Sequence, residues 1–250
     1  MIWTTRAVCA VALVLGLAGQ PAAAADCEDR SFGGRSYTIC EVDATREEIR
    51  LFLKDETGKL LGQFFAVDAG LKAQGQRLGF AMNAGMYHED RSPVGHYREN
   101  GTELMRVIPN AGPGNFGMLP NGVFCVRAGR ADVIETRRFL REAPDCVQAT
   151  QSGPMLVIDG ALHPRFLRDS DSRFLRNGVA TSADGGRAVF VISNERVTFY
   201  EMASFVRDAL KLPQALYFDG NVSRLYAPGL GRADVGFLLG PIVGVVETAD

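Results

Sequence analysis

The sequence has no long apolar stretch after its first 25 residues, no basic tract and only three histidines. A transmembrane helix needs about 20 consecutive apolar residues, so we expect no membrane-spanning segment after residue 25. A formal net charge of -2 without a lysine- and arginine-rich segment argues against a nucleic-acid partner. No cysteine or histidine cluster has the spacing of a zinc site, and the sequence requires no cofactor.

The first 25 residues have the layout of a signal peptide. Arg6 is their only charge, an apolar run covers residues 8–17, and a run of alanines ends at Ala25. This order indicates export, with cleavage after Ala25. A lipoprotein linked through Cys27 is the alternative, although the leucine and small-residue run that lipidation uses does not precede that cysteine. We predict a signal peptide over residues 1–25, one domain over residues 26–250, and a periplasmic or secreted location.

Four cysteines remain after Cys9 leaves with the signal peptide, and they are Cys27, Cys40, Cys125 and Cys146. An even number in an oxidising compartment favours disulfides. Three pairings are possible, and we favour Cys27 with Cys40 and Cys125 with Cys146 because these pairs close short loops around hairpin-like segments. Four buried free thiols are the alternative.

Short apolar or alternating segments, bounded by turn residues, predict many strands. A capping box at Thr198 and helically spaced apolar residues up to Leu210 predict one helix, and residues 137–142 predict a weaker one. Turns are predicted at residues 127–130 and 184–186. We therefore expect an α+β single domain with a mixed, mostly antiparallel sheet and a few helices. The predicted strands cover residues 37–42, 49–53, 122–126, 155–158, 188–192 and 215–218.

Several predicted strands end in asparagine or aspartate beside glycine. Glycine lets the backbone approach a ligand closely, while Asn, Asp and Ser supply hydrogen-bonding groups. Asn-Gly and Asp-Gly are also ordinary turn residues, so each segment alone is compatible with a purely structural role. The segments are 82–87, 93–97, 114–117, 152–154 with 159–160, 176–178 and 218–223.

Taken in order, these segments resemble phosphodiester glycosidase domains. The resemblance extends from about Tyr37 to Ile242. Animal-type members carry two glycines where this sequence has Asn221-Val222, and this difference bears on the identity of the substrate rather than on the class of reaction. The family cleaves an N-acetylglucosamine-phosphate-sugar diester on the sugar side. The resemblance therefore implies an exported hydrolase that cleaves a sugar-1-phosphodiester linkage in a glycan or envelope polysaccharide. The residues that carry it are 83–87, 114–116, 152–156, 176–178 and 216–223.

Three residues are predicted to be catalytic. Asp219 ends an apolar strand and precedes a glycine, which suits a general acid, base or nucleophile; an Asx-turn is the alternative. Arg176 has the planar guanidinium group that suits a phosphodiester. The alternative is that Arg176 forms an ion pair with Asp169 or Asp171. Asn83 completes the predicted catalytic set.

Further residues are predicted to bind the substrate through neutral hydrogen bonds, or to assist proton transfer in the case of His96. Aromatic residues at positions 87, 97, 116 and 217 could stack on a sugar ring or belong to the core. His88, Glu89 and Asp90 could bind a divalent metal, but they lack a recognised ligand spacing, so the sequence does not decide whether a metal is bound. The predicted substrate-binding residues are Asn115, Ser152, Asn177, Gly220, Asn221, Ser223 and His96.

A second hypothesis also fits the sequence. A non-catalytic periplasmic module that binds glycans or assists envelope or exopolysaccharide assembly would use the same fold and carbohydrate partner. Such a module would have little need for Asp219 and Arg176 together. A serine-nucleophile hydrolase is disfavoured, because the segment around Ser152 lacks the G-x-S-x-G elbow.

Overall fold

A computed structural model describes residues 26–249 of the chain. The signal-peptide prediction therefore concerns residues outside the described range. No helix within that range is long and apolar enough to cross a membrane. The described residues form one α+β domain that is mostly β-structure.

Within the described range the chain forms 17 strands, most of them short. Every pairing between these strands is antiparallel. In chain order they are β1 (Asp26–Phe32), β2 (Arg35–Asp43), β3 (Glu48–Phe52), β4 (Gln76–Asn83), β5 (Tyr97–Glu99), β6 (Thr102–Met105), β7 (Gly122–Arg127), β8 (Arg130–Glu135), β9 (Gln148–Ser152), β10 (Met155–Ile158), β11 (Ala161–Leu162), β12 (Asn177–Thr181), β13 (Arg187–Ser193), β14 (Gln214–Asp219), β15 (Leu225–Ala227), β16 (Arg232–Ala233) and β17 (Ile242–Thr248).

These strands divide into three sheets rather than one. The first has seven strands in the order β1-β2-β13-β12-β14-β10-β11, the second has the order β16-β15-β4-β17-β3, and the third has the order β6-β5-β9-β7-β8. All six segments that the sequence predicts as strands overlap observed strands. The predicted turns are also confirmed, since β7 and β8 form a hairpin with a two-residue loop and residues 182–186 connect β12 to β13.

Three α-helices pack outside the sheets: α1 (Phe64–Lys72), α2 (Thr136–Glu142) and α3 (Phe199–Ser204). The capping box of α3 is confirmed, because the Thr198 hydroxyl accepts a hydrogen bond from the Glu201 amide and the Glu201 carboxylate accepts one from the Thr198 amide. The predicted single helix changes character after Ser204, where Phe205–Ala209 forms a π-helical turn.

Buried phenylalanines from all three sheets meet in the main core. The Phe190 ring lies 5.0 Å from Phe80 and 5.6 Å from Phe124, and the Phe124 ring lies 6.4 Å from Phe218. All four side chains are fully buried. Burying one such side chain stabilises a fold by roughly 1.5–3 kcal/mol, so this cluster fixes the sheets relative to one another directly beside Asp219.

Two disulfides are present, with the favoured pairing. Cys27 and Cys40 lie opposite each other in the β1–β2 ladder with their Cα atoms 4.0 Å apart. Cys125 in β7 is joined to Cys146, with a Cα–Cα distance of 5.5 Å. The alternative of four free thiols is therefore not what the structure adopts.

Candidate active site

A cleft of about 620 Å³ opens at one end of the sheets. Its wall combines apolar and aromatic side chains with a few polar ones, which is the usual composition of a small-molecule site. Asp219 is the one carboxylate among the described residues that line it. The lining residues are Met86, Tyr87, Val94, Pro113, Gly114, Asn115, Phe116, Phe174, Tyr217, Asp219, Gly220, Asn221 and Val222.

The cleft forms where strand ends of the three sheets converge. Asn83 ends β4, Ser152 ends β9 and Asp219 ends β14, while Asn177 begins β12. Asn177 pairs with Asp219 in the antiparallel ladder, so the start of β12 lies beside the end of β14. The structure thus brings the ends of the sequence-predicted segments into one region.

Asp219 both shapes a turn and lines the cleft. Its Oδ1 atom accepts hydrogen bonds from the amides of Gly220 (2.5 Å) and Asn221 (2.8 Å), which makes an Asx-turn. The backbone amide of Val222 also interacts with this carboxylate. Burial to 9% exposure raises the pKa of Asp219, and the neighbouring backbone amides only partly oppose that rise.

Asn115, Gly220 and Asn221 lie in the cleft with Asp219, as the substrate-binding prediction requires. Gly220 has a steric reason to be glycine. A Cβ atom built at Gly220 would lie 2.2 Å from the Tyr217 hydroxyl oxygen, so a side chain there would displace this tyrosine.

Three other predicted residues form a buried polar network behind the cleft wall. The Asn177 amide nitrogen donates to the Asn83 carbonyl oxygen at 2.8 Å, and the Asn83 side-chain oxygen accepts from the Arg224 amide at 3.0 Å. The Ser223 hydroxyl lies within 3.2 Å of Asn177 Oδ1 and 3.0 Å of the Asp219 carbonyl oxygen. None of Asn83, Asn177 and Ser223 is among the cleft-lining residues. Their observed contacts support the site from behind.

Ser152 and His96 also lie away from the cleft lining. Ser152 is fully buried and donates to the Phe218 carbonyl oxygen at 3.1 Å. His96 is buried with its Nδ1 atom 2.9 Å from the Met105 carbonyl oxygen. Burial lowers the pKa of His96, and the Met105 carbonyl and the Glu103 carboxylate only partly oppose that shift.

Arg176 is almost completely buried, with 1% of its surface exposed. Its Nε atom donates to the Val197 carbonyl oxygen at 2.9 Å and its Nη2 atom to the Ser172 carbonyl oxygen at 3.0 Å. No carboxylate among the described residues lies within 4.0 Å of it, so the alternative ion pair with Asp169 or Asp171 does not form. Burial lowers the pKa of this guanidinium, although arginine stays charged at neutral pH.

The aromatic candidates separate into two groups. Tyr87, Phe116 and Tyr217 line the cleft, whereas Tyr97 is fully buried and donates its hydroxyl to Glu99. The apolar lining residues Met86, Val94 and Val222 lie within segments that the sequence analysis singled out but were not predicted as site residues, and Phe174 lies outside those segments. Apolar residues beside strand ends give no signal that separates a cleft wall from a core.

The residues left undecided for a metal lie in a surface loop. His88, Glu89 and Asp90 are exposed, and Asp90 accepts hydrogen bonds from Ser92. Among residues 26–249, no group of three or more His, Cys, Asp and Glu side chains is placed to hold a metal ion.

Comparisons with known proteins place this architecture in a family. The sequence model of the phosphodiester glycosidase family (NAGPA) matches residues 76–234. The uncharacterized protein YigE of Escherichia coli (strain K12) is 34% identical over 209 residues, covering 83% of this chain and 80% of YigE.

A solved structure shares the fold at low sequence identity. It is the catalytic domain of zebrafish N-acetylglucosamine-1-phosphodiester alpha-N-acetylglucosaminidase, auto-inhibited by its pro-peptide. The TM-score is 0.61 at 13% identity, and the match covers 88% of this chain and 81% of the zebrafish one. The matched region includes the strand ends and the loops that carry Asn115, Arg176 and Asp219. On these grounds the chain belongs to the phosphodiester glycosidase family.

Proposed function

We propose that this protein is an exported hydrolase that cleaves a sugar-1-phosphodiester on the sugar side, in a glycan or envelope polysaccharide. Family membership supports a glycosidase-type hydrolase with a carbohydrate substrate. The two disulfides fit an oxidising compartment outside the cytoplasm.

The observation that carries the proposal is Asp219 as the one carboxylate in the described cleft lining. Most glycosidases use two carboxyl groups, one of which protonates an alcohol leaving group. A phosphomonoester leaving group needs no such acid, since the second pKa of a phosphate is about 6. One carboxylate, acting as a base towards water or as a nucleophile towards the anomeric carbon, is therefore enough for a sugar-phosphate bond.

The remaining cleft residues fit a sugar joined to a phosphate. Asn115 and Asn221 can hydrogen-bond hydroxyl or phosphate oxygens, while Phe116, Phe174 and Tyr217 offer aromatic surface. The buried positive charge of Arg176 lies behind Phe174 and Tyr217 and attracts an anionic substrate through a region of low dielectric constant.

The test uses a sugar-1-phosphodiester whose second ester is p-nitrophenol. Cleavage between the sugar and the phosphate leaves p-nitrophenyl phosphate, which becomes coloured only after a phosphatase is added. Cleavage of the phosphorus–oxygen bond to nitrophenol gives colour directly.

Repeating the reaction in ¹⁸O-labelled water locates the broken bond. We expect the label in the released sugar and none in the phosphate. Label in the phosphate would contradict the proposal, because it would identify a phosphodiesterase. Saturable binding of the diester without any turnover would favour the non-catalytic glycan-binding module instead.

A further inference from the structure

Arg176 is a buried cation with an unused donor. Its Nη1 atom is inaccessible to solvent and makes no hydrogen bond of regular geometry, although Nε and Nη2 are both bonded to backbone oxygens and the guanidinium interacts with the Tyr217 hydroxyl. Burying a charge without an opposite charge is costly. Something other than an ion pair must therefore offset the cost of keeping this guanidinium in the fold.

Three aromatic rings surround the guanidinium. Its Cζ atom lies 3.7 Å from the centre of the Phe199 ring, 5.2 Å from Phe174 and 5.5 Å from Tyr217. Cation–π attraction offsets part of the desolvation cost. Phe174 and Tyr217 line the cleft and Arg176 does not, so one layer of aromatic rings separates the guanidinium from a bound substrate.

Tyr217 is the polar member of that layer. It is 1% exposed and lines the cleft, and its hydroxyl interacts with the side chains of Arg176, behind the cleft wall, and of Asn115, which also lines the cleft. The hydroxyl packs against Gly220, immediately after Asp219. Because a guanidinium only donates hydrogen bonds, the phenol oxygen accepts from Arg176, and its O–H group is left to donate towards the cleft, to Asn115 or to a ligand oxygen.

The surroundings of the hydroxyl keep it protonated while polarising it. Burial raises the pKa of Tyr217 far above neutrality, and the nearby charge of Arg176 opposes that rise without cancelling it. At neutral pH the group is therefore an O–H donor whose bond is polarised by a fixed positive charge behind it. Such a donor is suited to an anionic acceptor.

We propose that the Tyr217 hydroxyl donates a hydrogen bond to a phosphate oxygen of the substrate, and that Arg176 is a positioning residue that acts through Tyr217. This inference rests on the proposed function for the identity of the substrate. It differs from the sequence-based prediction, in which the Arg176 fork itself grips the phosphate.

The test measures binding of inorganic phosphate by calorimetry, without any turnover. Tyr217→Phe removes only the hydroxyl, and Tyr226→Phe is the matched control because Tyr226 lies outside the cleft lining. A hydrogen bond to a charged group contributes about 1.5–3 kcal/mol. We therefore expect Tyr217→Phe to weaken phosphate binding about 10- to 100-fold and Tyr226→Phe to leave it unchanged. Unchanged binding in Tyr217→Phe overturns the proposal, as does a wild-type protein that binds no phosphate.

A double-mutant cycle tests the role of Arg176. Arg176→Met removes the charge and keeps much of the volume. If the methionine variant does not fold, Arg176→Gln, which is also neutral, is used in its place. We expect the arginine substitution to weaken phosphate binding by a clearly smaller factor in the Tyr217→Phe background than in the wild-type background. Equal factors in both backgrounds would show that Arg176 does not act through Tyr217.

A neutral ligand separates this role from a structural one. Binding of the unphosphorylated sugar should change less than twofold in Tyr217→Phe, whereas loss of a packing role would weaken sugar and phosphate binding together.

The proposed reaction and the proposed role of Tyr217 can be rejected independently of each other. Phosphate binding that depends on Tyr217 in a protein that cleaves no diester would reject the proposed reaction only, and diester cleavage with Tyr217-independent phosphate binding would reject this inference only.

Discussion

The buried side chains of Asn83 and Asn177 are hydrogen-bonded to each other behind the cleft wall. The Asn177 nitrogen donates to the Asn83 carbonyl oxygen at 2.8 Å, and the two side-chain amides lie within 3.3 Å of each other. Asn83 Oδ1 also accepts from the Arg224 amide. Because Asn83 is in the second sheet and Asn177 in the first, this pair fixes the two strand ends that flank Asp219.

Asn83→Ala should therefore lower stability before it affects chemistry. The change leaves the buried Arg224 amide without its acceptor, which costs about 1–3 kcal/mol. The melting temperature should fall by several degrees. The control is Asn221→Ala, since Asn221 is exposed in the cleft and its loss should raise KM without lowering the melting temperature. An Asn83→Ala protein with wild-type stability and no activity would instead support the predicted catalytic role.

The sequence is informative about strands because most of them alternate or are continuously apolar. It misses β9, in which four of the five residues QATQS are polar although all five are buried. Their polarity is satisfied inside the fold, where Gln151 Oε1 accepts from the His96 and Ile108 amides. Helix α1 is also missed, because Gln63 at its start makes no side-chain capping bond. These elements depend on long-range contacts that a local pattern does not contain.

The sequence predicts which strand ends form the site, but it does not predict which of their side chains line the cleft. Asparagine or aspartate at a strand end gives the same local pattern at Asn83, Asn177 and Asp219. Only Asp219 lines the cleft, because the other two side chains bond to each other across two sheets. The direction in which each side chain projects depends on the contact between the sheets, which sequence spacing does not encode.

The disulfides give a direct prediction. The unreduced protein should have a mass lower than the reduced protein by four hydrogens, with Cys125 and Cys146 in one linked peptide. Replacing Cys125 and Cys146 together by alanine should lower the free energy of unfolding by about 3 kcal/mol, because it frees a loop in the unfolded chain. Denaturant unfolding checks this value. Four alkylatable thiols in protein isolated from the periplasm would contradict the prediction.

His96 predicts how stability depends on pH. Burial lowers its pKa in the folded state, so the folded protein binds this proton less tightly than the unfolded chain. Its contribution to stability is therefore complete above the unfolded pKa of about 6.5 and is lost as the pH falls through that value towards the lower folded pKa. His96→Gln should reduce the difference in melting temperature between pH 7.5 and pH 5.

The matched control is His88→Gln, because His88 is exposed and should leave that difference unchanged. Since His96 does not line the cleft, we also expect His96→Gln to keep turnover within a few-fold of wild type at pH 7.5. A large rise in KM with unchanged stability would restore the sequence-based prediction that His96 binds substrate.

Asp219→Asn separates the two roles that the structure gives this residue. An asparagine oxygen can still accept the amide bonds of Gly220 and Asn221, so the turn should survive. The variant cannot exchange a proton or attack carbon. Turnover should fall by about two to four powers of ten, the range for general acid–base catalysis.

Stability should change in the opposite direction from activity. Burial raises the folded pKa of Asp219 above its unfolded value, so the ionised carboxylate destabilises the fold. That penalty is absent below the unfolded pKa of about 3.9 and is complete above the higher folded pKa. At pH 7 the melting temperature of Asp219→Asn should therefore equal or exceed that of the wild type, and the difference should disappear as the pH falls towards 4.

Asp90→Asn is the matched control, because Asp90 is an exposed carboxylate that closes a similar turn with Ser92. It should keep full activity. A folded Asp219→Asn variant with near-wild-type turnover would remove Asp219 from the mechanism and leave it as a turn residue.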